Sequence, residues 1–559
     1  MGKAKVWLQH YPKGVPADIT DQASAYSSLV QMFDESCRQY ADRYAYQSMG
    51  AAITYAELHH HVEALAAWLQ HNGVKKGDRV ALMMPNLMQY PVALFAVLRV
   101  GAIVVNVNPL YTPHELEHQL RDCGATTIFI AENFAHTLQK VVEHTDIKRV
   151  VVTGIGDMLG GLKGRVTNFV VRHVKKMVPA WTLPNHIRFN DALTQGTGLT
   201  TLPVALTHDD IAFLQYTGGT TGVAKGAILT HGNVVANVCQ ACAWLQPYID
   251  LSKPECIVTA LPLYHIFALT ANCLVFMRIG AKNLLIVNAR DIPSLVKELA
   301  RNRFTAITGV NTLFSALLNH PDFKTLDFSN LKFALGGGMA VQQAVSERWL
   351  RTTGKPIAQA YGLTETSPAA TINPLDQTEF TGSIGLPVPS TDIVVRDIAD
   401  NRLAVGESGE LCIKGPQVTP GYWQRPEETA LAFDTEGYLR TGDIGYMDAQ
   451  GYFYILDRKK DMILVSGFNV YPNEVEAAAA EHPDIIEAAA IGVPDARSGE
   501  VVKLFVIARR PDLTAEEVIA HCRGLLSGYK VPKHVEFRET LPRTNVGKIL
   551  RRQLKEEAS

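Results

Sequence analysis

The chain has 559 residues, of which 47% are hydrophobic and 19% charged, and its net charge is −2. This length exceeds what one hydrophobic core supports, so we expect two or more domains of a folded protein rather than a disordered chain. The near-neutral charge excludes a general attraction to nucleic acid, and eight dispersed cysteines indicate reduced thiols in the cytoplasm.

Segments from residue 27 to 150 alternate between helix-like and strand-like patterns. Such alternation predicts parallel sheets covered by helices, and it resumes between residues 257 and 370. The predicted helices are 55–70, 90–98 and 114–121, and the predicted strands are 79–84, 103–107 and 126–131. The apolar run 256–277 is interrupted by Pro262 and His265, so core strands and helix are expected there instead of a membrane span.

The sequence pattern changes after Gly382. Short strand-like stretches alternate with Gly- and Pro-rich turns, which predicts a small β-rich subdomain up to residue 456. A charged run, 457–461, then precedes a compact α+β unit with helices at 473–481 and 514–526, strands at 488–491 and 502–508, and a final basic helix. We therefore predict an N-terminal domain of residues 1–456 and a C-terminal domain of residues 457–559.

Residues 216–226 carry four glycines, three threonines and one lysine. Glycines let backbone N–H groups approach an anion, while hydroxyls and a lysine bind phosphate oxygens. The segment lacks the Gly-Lys-Ser/Thr of a Walker A loop. It lies between strand candidates 211–215 and 226–230, with a helix opening near Thr230, so we interpret it as a phosphate-binding hairpin tip.

Four further segments supply groups that phosphate chemistry on a carboxylate needs. Residues 359–366 offer an aromatic ring, a hydroxyl and a carboxylate, and the strand 331–338 ends in three glycines where a flat ligand approaches backbone. Residues 438–443 place an acid on a tight turn, suited to ribose hydroxyls, and residues 542–548 present a lysine on a loop. Their order along the chain favours one nucleotide-dependent site.

These motifs, between residues 210 and 550, resemble the adenylate-forming superfamily of acyl-CoA synthetases, adenylation domains and beetle luciferases. The most specific stretch is 441–473, and the resemblance is strongest to bacterial long-chain fatty acid–CoA ligases. It implies an α/β fold: a large N-terminal domain with two βα sheets and a small β-barrel-like subdomain, plus a mobile α+β C-terminal lid domain.

The resemblance also implies roles for individual residues. Thr217 and Glu365 would support Mg²⁺, Thr364 would reach the α-phosphate, Asp443 and Arg458 would hold the ribose or phosphate, and Lys548 would bridge the carboxylate and the α-phosphate. Lys460 would be the hinge, and Gly467 would lie beside the thiol path. The triphosphate would be wrapped by Tyr216, Thr217, Gly218, Gly219, Thr220, Thr221, Gly222, Val223, Ala224, Lys225 and Gly226. The adenine pocket would be lined by Gly337, Gly338, Ala360, Tyr361 and Gly362. The acyl site would contain Tyr264, His265, Gly309, Val310, Asn311, Thr312 and Met339, with His265 also counted among the catalytic candidates.

The implied reaction is ligation of a long-chain fatty acid to coenzyme A with ATP and Mg²⁺, through an acyl adenylate, giving acyl-CoA, AMP and pyrophosphate for fatty acid activation, degradation and uptake. The preference for long acyl chains is implied by the resemblance alone. The segment 261–270 also lacks the gating Trp found in some long-chain relatives. Small residues at Gly309 and Gly338 are expected to leave room for the acyl chain.

Several alternatives differ in what they need from the sequence. An amino-acid adenylation domain needs a carboxylate to pair the substrate ammonium, and 261–270 contains none. An acyl-AMP ligase carries an extra insertion near the hinge, which 442–468 lacks. A medium-chain or aryl acid–CoA ligase, a luciferase-like oxygenase and a non-catalytic lipid-binding or uptake module remain as alternatives.

A basic segment, 161–189, contains no acidic residue and combines lysines and arginines with Phe169 and Trp181. Val170, Val174, Met177 and Trp181 recur at helical spacing. A basic amphipathic helix of this kind fits an anionic membrane surface, which would make the enzyme peripheral on the inner face of the cell membrane. A solvated basic face or a homodimer contact are the alternatives.

Overall fold

The structure is a computed structural model that describes residues 5–217, 224–466, 468–495, 497–544 and 548–558. Of the predicted site residues, Gly218, Gly219, Thr220, Thr221, Gly222, Val223 and Gly467 lie outside the described residues.

The strands form four sheets in this part of the chain. In chain order they are β1 (Tyr44–Ser48), β2 (Ala51–Thr54), β3 (Arg79–Met83), β4 (Ile103–Asn106), β5 (Thr127–Ala131), β6 (Arg149–Thr153), β7 (Ile187–Arg188), β8 (Ile211–Thr217), β9 (Lys225–Thr230), β10 (Cys256–Thr259), β11 (Lys282–Leu285), β12 (Ala306–Gly309), β13 (Phe333–Gly336), β14 (Ile357–Gly362), β15 (Ala369–Ile372), β16 (Leu386–Pro387), β17 (Asp392–Arg396), β18 (Gly409–Lys414), β19 (Leu439–Met447), β20 (Phe453–Arg458), β21 (Ile463–Val465), β22 (Phe468–Val470), β23 (Ile485–Asp495), β24 (Gly499–Ala508) and β25 (His534–Phe537).

The α-helices cover the sheets and connect their strands. They are α1 (Thr20–Ser24), α2 (Leu29–Gln39), α3 (Tyr55–His71), α4 (Gln89–Arg99), α5 (Pro113–Cys123), α6 (Ala135–Gln139), α7 (Gly161–Phe169), α8 (Phe189–Gly196), α9 (His231–Leu245), α10 (Ile266–Ala268), α11 (Val275–Arg278), α12 (Ile292–Arg301), α13 (Asn311–Asn319), α14 (Gln343–Thr353), α15 (Pro426–Ala432), α16 (Pro472–Ala480), α17 (Ala515–Leu525) and α18 (Arg551–Ala558).

The first sheet has seven strands in the order β7-β6-β5-β3-β4-β8-β9. Its strands are parallel except for β9, which returns antiparallel to β8. Every residue of β4 and β5 is buried, as expected for parallel strands covered on both faces. The predicted βα alternation and the hairpin around residues 211–230 are confirmed.

The second sheet has nine strands in the order β16-β15-β14-β13-β12-β10-β11-β1-β2. The run from β14 to β1 is parallel, and antiparallel strands close both edges. Parallel strands end at one edge of a sheet, so Gly309, Gly336 and Gly362, at the ends of β12, β13 and β14, lie along the same edge. This edge brings three predicted binding segments together.

The Gly- and Pro-rich region forms an antiparallel sheet of four strands, β17-β18-β19-β20. The order is open, with β17 and β20 at the edges, so the predicted barrel-like subdomain is corrected to an open sheet. In a closed barrel the first and last strands of the sheet pair with each other, whereas here β17 and β20 are separate edges.

The C-terminal region contains the sheet β22-β21-β24-β23, with β25 paired to β24. Helices α16 and α17 share a buried core with this sheet, and α18 contributes Leu554 to a second, smaller cluster. The predicted α+β character is confirmed.

The basic segment differs from its prediction. Helix α7 continues through a π-helical turn, Val170–Val174, and then ends, so Trp181 is not on the helix. Instead, Trp181 packs edge-on against the ring of His186 and beneath the guanidinium of Arg188. Within the described residues, no helix combines the length and hydropathy that a membrane crossing needs.

Candidate active site

The described ends of the phosphate-binding segment are held by side chains from elsewhere in the fold. Thr217 pairs with Lys225 across the hairpin β8–β9. The Tyr216 hydroxyl donates to Asp122 Oδ2 at 2.6 Å, and burial together with Asp122 raises the pKa of Tyr216. Arg425 also pairs with Asp122, so a nearly buried carboxylate anchors one end of the hairpin.

The segment after Gly421 runs beside β9 and reaches two predicted site residues. Trp423 N donates to Gly226 O at 2.8 Å. The Tyr422 hydroxyl donates to Glu365 Oε1 at 2.8 Å, and Glu428 lies 3.7 Å from Lys225 Nζ. Sequence reasoning missed Tyr422, because it has no periodic or glycine-rich signal. It connects the proposed metal carboxylate to the phosphate-binding hairpin.

The ends of β13 and β14 form a surface with little side-chain bulk. A β-carbon on Gly337 would lie 3.0 Å from the Phe267 ring and 3.3 Å from Ala360 O, so backbone and ring already occupy that side. Gly338 has a φ of +78°, which favours glycine, and its position has room within contact distance of Lys548. Thr364 follows in a short 3₁₀ turn, Thr364–Thr366.

Asp443 forms the polar centre of the proposed ribose site. It accepts a hydrogen bond from the Tyr361 hydroxyl at 2.7 Å and lies 3.3 Å from Arg458 Nε. The strands β19 and β20 place Asp443 and Arg458 directly opposite each other. Burial raises the pKa of Asp443, and the nearby Arg458 opposes this shift. The other carboxylate oxygen, Oδ1, faces Arg458, and a carboxylate oxygen with a free lone pair can accept hydrogen bonds from hydroxyl groups.

Lys548 extends from the C-terminal region into the same site. The pKa of Lys548 is lowered to about 8, first by burial and then by the charge of Arg458, while Asp443 and Glu365 oppose the shift. A β-carbon on Gly338 would be 3.8 Å from Lys548 Cε. The structure therefore brings Lys548 together with Gly338, Asp443, Arg458 and Glu365, all predicted from separate segments.

His265 is the N-cap of α10 and is half-buried, and burial followed by the charge of Lys548 lowers its pKa to about 3. The imidazole is thus neutral, and Nδ1 accepts a hydrogen bond from Phe267 N at 3.3 Å. Tyr264 lies beside it, and burial raises its pKa to about 12. A neutral ring in this position contributes shape and a hydrogen-bonding group rather than charge.

A buried polar network, absent from the sequence predictions, holds the loop before His265. Gln215 Nε2 donates to Tyr264 O at 2.7 Å, and Asn86 Nδ2 donates to Leu261 O at 2.9 Å. The Tyr90 hydroxyl donates to Leu263 O at 3.0 Å. A glutamine ending an otherwise apolar strand was the available signal, since a buried amide needs partners.

The remaining acyl-site candidates lie on β12, α13 and the segment after β13. Val310, Asn311 and Thr312 open α13, and Asn311 Oδ1 accepts from Gln342 N at 3.0 Å. Met339 packs against the main core. The expectation that Gly309 leaves space for the chain is wrong in this conformation, because a β-carbon there would meet the Phe314 ring at 2.8 Å.

Lys460 lies in the turn after β20, beside the charged residues Lys459 and Asp461. Among the described residues, no group of three or more His, Cys, Asp or Glu side chains is placed to hold a metal ion. A single carboxylate such as Glu365 is nevertheless compatible with Mg²⁺, which is often held by one or two carboxylates plus substrate phosphates.

The chain belongs to the family of AMP-binding enzymes. The family's main region matches residues 33–423, and its C-terminal domain matches residues 474–548. The fold is accordingly the mixed α/β fold of adenylate-forming enzymes.

Named relatives agree with this assignment. The chain is 57% identical over 555 residues to the long-chain-fatty-acid–CoA ligase of Escherichia coli O6:H1, covering 99% of this chain and 98% of that protein. It is 52% identical to the ligase of the same name from Haemophilus influenzae, again over 99% and 98%. The crystal structure of ATP-bound MatB from Rhodopseudomonas palustris matches with a TM-score of 0.81 and 27% identity, over 94% of this chain and 98% of that chain.

Proposed function

We propose that the protein ligates a long-chain fatty acid to coenzyme A through an acyl adenylate, giving acyl-CoA, AMP and pyrophosphate. The observation that carries the proposal is 57% identity, over nearly the full chain, to a long-chain-fatty-acid–CoA ligase. The meeting of Lys548, Asp443 and Glu365 at one edge of the nine-stranded sheet supports it. A medium-chain or aryl ligase and a non-catalytic lipid-binding module are not favoured.

In the first step, a carboxylate oxygen of the fatty acid attacks the α-phosphorus of ATP, and pyrophosphate leaves. The acid is already ionised at neutral pH, so no general base is needed. Lys548 carries the charge that draws the carboxylate and the α-phosphate together, and Thr364 donates to the phosphate. Positioning and charge stabilisation supply most of the acceleration in such phosphate chemistry.

The nucleotide is held by groups of the N-terminal domain and by Arg458 at the junction between the two domains. Asp443 accepts from the ribose hydroxyls, Arg458 reaches the ribose or phosphate, and Tyr361 lies in the adenine pocket with Gly337 and Ala360. The hairpin residues 216–226 wrap the triphosphate, including those outside the described residues. Support comes from the 2.7 Å bond between Tyr361 and Asp443, which orients the carboxylate.

Mg²⁺ would be held by Glu365 and Thr217 together with phosphate oxygens, and it supplies charge neutralisation of the triphosphate. Tyr422 supports this role by donating to one oxygen of Glu365, which leaves the other for the cation. Thr217 ends β8 at the start of the phosphate-binding segment.

In the second step, the thiol sulfur of CoA attacks the acyl carbonyl carbon, its proton is released to solvent, and AMP leaves. We propose that residues 457–559 form a lid that turns about Lys460, withdraws Lys548 and opens a thiol path beside Gly467. Gly467→Leu is therefore expected to block the second step alone.

The acyl chain would occupy the region of Tyr264, His265, Val310, Asn311, Thr312 and Met339, with Gly338 leaving space beside Lys548. Because Phe314 fills the side of Gly309, a long chain must displace that ring or pass along Gly338. Because Nδ1 accepts from Phe267 N, the neutral His265 carries its proton on Nε2, which is suited to donate a hydrogen bond near the carboxylate without adding charge beside Lys548.

We propose a cytoplasmic enzyme that docks on anionic membrane through helix α7 and the π-helical turn after it. Exposed apolar residues follow one face at helical spacing: Leu162, Val166 and Phe169, with exposed fractions of 78%, 52% and 59%. Val174 and Met177 extend this apolar row, and the exposed Lys175 and Lys176 lie beside it. Arg172 is excluded from docking, because it binds the buried Glu132 at 3.0 Å.

Co-sedimentation with phosphatidylglycerol vesicles tests the docking proposal. A Phe169→Ser, Lys175→Glu, Lys176→Glu variant is expected to bind much less than wild type, while phosphatidylcholine vesicles bind neither. Arg172 is left intact, because its loss would strand a buried charge. Equal binding by both proteins, or a dimer in solution that the variant splits, would assign the apolar row to another role, in the second case a homodimer contact.

Product analysis tests the reaction itself. With fatty acid, ATP and CoA, we expect acyl-CoA, AMP and pyrophosphate in equal amounts. ADP and phosphate would contradict the proposal. A scan of acids from acetate to oleate is expected to give its optimum at long chains, and an optimum at acetate or propionate would remove the long-chain assignment.

A further inference from the structure

Arg551 lies three residues after Lys548, at the start of α18, and its side chain turns back onto α16. Arg551 Nη2 is 2.8 Å from both carboxylate oxygens of Glu476, and Nε is 3.2 Å from Glu476 Oε1. Nη2 also donates to Asn473 Oδ1 at 2.9 Å. The Arg551 and Glu476 side chains are only 16% and 15% exposed, so this is a largely buried, multiply bonded ion pair.

The ion pair is connected to the lid core through Glu476, and to the proposed hinge segment through Asn473 and Arg551. Its Oε1 accepts from Ala490 N of β23 at 2.8 Å. Asn473 N donates to Asp457 Oδ2 at 2.8 Å, and Asp461 lies 3.8 Å from Arg551 Nη1. Burial raises the pKa of Glu476, and Arg551 opposes the shift. The guanidinium therefore joins the Lys548 segment to both the lid sheet and the hinge segment 457–461.

The backbone between Lys548 and Arg551 leaves little freedom. Lys548 N donates to Thr544 Oγ1 at 3.0 Å, and Thr544 N donates to Lys548 O at 2.7 Å. Leu550 N donates to Pro542 O at 2.9 Å. Only two residues separate Lys548 from Arg551, so the bonds of the guanidinium restrain the C-terminal side of this short segment, while the bonds to Thr544 and Pro542 restrain its other side.

We propose that Arg551 is a positioning residue for Lys548 in the adenylate-forming step; the inference rests on the proposed function. A buried ion pair contributes little net stability, because desolvation offsets the attraction. A bidentate guanidinium instead fixes direction. A displacement of about 1 Å at a reacting group costs on the order of 10²-fold in rate. Arg551 has no such task in thioester formation, from which Lys548 is withdrawn.

Four variants test this proposal in two separate half-reactions. Arg551→Met, Arg551→Lys and the double variant Arg551→Met, Glu476→Met remove the pair wholly or partly. Arg552→Met is the matched control, because Arg552 is 67% exposed and pairs with Glu556 on its own helix. Adenylation is followed by pyrophosphate release without CoA, and thioester formation is followed from preformed acyl-AMP and CoA.

We expect Arg551→Met to slow adenylation about 10- to 100-fold, with thioester formation within about threefold of wild type. Arg551→Lys is expected to recover part of the loss. The double variant leaves no unpaired carboxylate, yet adenylation is expected to stay slow. Arg552→Met is expected to match wild type in both half-reactions.

Three outcomes would overturn the inference. Equal losses in both half-reactions, with a lower Tm, would make Arg551 structural. Recovery of adenylation in the double variant would mean that Arg551 only neutralises Glu476. Wild-type adenylation in Arg551→Met would remove the role altogether. A wild-type protein that forms no acyl adenylate would count against the proposed function instead.

Discussion

The edge of the nine-stranded sheet and the C-terminal loop reach the same site by different physical means. Gly337, Gly338 and Tyr361 lie at the ends of parallel strands, where a buried sheet fixes the backbone. Lys548 stands on a loop held at its two ends by ion pairs, Arg543 with Glu487 and Arg551 with Glu476. Groups of the first kind are permanent parts of the site, and Lys548 belongs to a separate unit.

The difference teaches how one site serves two steps. AMP is present in the adenylate in both half-reactions, so the groups that hold it belong on a rigid scaffold. In the proposed mechanism, the charge of Lys548 is needed only in the first step, and a lysine that stayed in place would occupy the path proposed for the thiol. The proposed lid, which would carry Lys548 away after the first step, would resolve this conflict. The contrast predicts that scaffold variants damage both half-reactions and lid variants damage one.

The largest expected effect is that of Lys548→Ala. Removing a charge that stabilises a developing phosphate transition state typically costs 10²- to 10³-fold, and we expect a loss of this order in pyrophosphate release. Thioester formation from preformed acyl-AMP and CoA should remain within a few-fold of wild type. Comparable losses in both half-reactions would contradict the alternating lid.

Asp443→Ala is the scaffold counterpart. The aspartate accepts from Tyr361 and faces Arg458, and a hydrogen bond to a charged group contributes about 1.5–3 kcal/mol. We expect the KM for ATP to rise about 10- to 100-fold, with the rate of thioester formation from acyl-AMP reduced in parallel. Tyr361→Phe, which removes one donor and leaves the carboxylate, should give a smaller change. If Asp443→Ala affected only one half-reaction, Asp443 could not be part of the scaffold that serves both.

The sequence predicted the scaffold well because it depends on local patterns. Alternating helices and strands such as 55–70 and 79–84 appear within one or two residues of their predicted bounds. The hairpin 211–230 follows from glycine and threonine chemistry next to an apolar strand. The family resemblance then assembled Lys548, Asp443 and Glu365, which are far apart in the chain and close in space.

The rest depends on contacts between distant segments, which a single sequence does not reveal. The spacing of Val170, Val174, Met177 and Trp181 predicted one long helix, but the helix ends after a π-helical turn. Arg172 lies in the basic segment, but it pairs with the buried Glu132, a partner from a distant segment that the sequence does not reveal. The barrel-like interpretation of 382–456 was wrong because short strands give no signal for closure.

The pH dependence of adenylation tests how closely the lid lysine is tied to the scaffold. The pKa of Lys548 is about 8, and the reaction needs its charged form. The kcat/KM for ATP in the free enzyme should therefore fall about tenfold per pH unit above pH 8. Arg458→Gln removes a cation that lowers this pKa, so the fall in kcat/KM should begin at a higher pH. Lys548→Arg should abolish the fall in this range, because guanidinium stays charged.

The free energy of lid closure depends on pH in the opposite direction from the rate of adenylation. The folded pKa of Lys548 lies below its ordinary value, so burying the charged amine costs free energy below pH 8, and that cost disappears as the pH rises toward 10.5. A kcat/KM that falls as the pH rises must therefore come from the chemical step. A kcat/KM that rises between pH 8 and 9 would instead mean that closure limits the rate.

The smallest expected effect concerns the point where scaffold and lid touch. Gly338→Ala introduces a side chain at a φ of +78°, with its β-carbon 3.8 Å from Lys548 Cε. Gly354→Ala is the matched control: its φ is +70°, and no heavy atom lies within 4 Å. Both should lose about 1–2 kcal/mol of stability from the left-handed backbone, measured as similar shifts in Tm. Gly338→Ala alone should also slow adenylation about fivefold, because its methyl group would occupy space beside Lys548 that the acyl group is proposed to use, and about 1 kcal/mol at the reacting centre corresponds to that factor. Equal adenylation rates in the two variants would show that Lys548 adjusts freely, and that the lid is less closely fitted to the sheet edge than this contact implies.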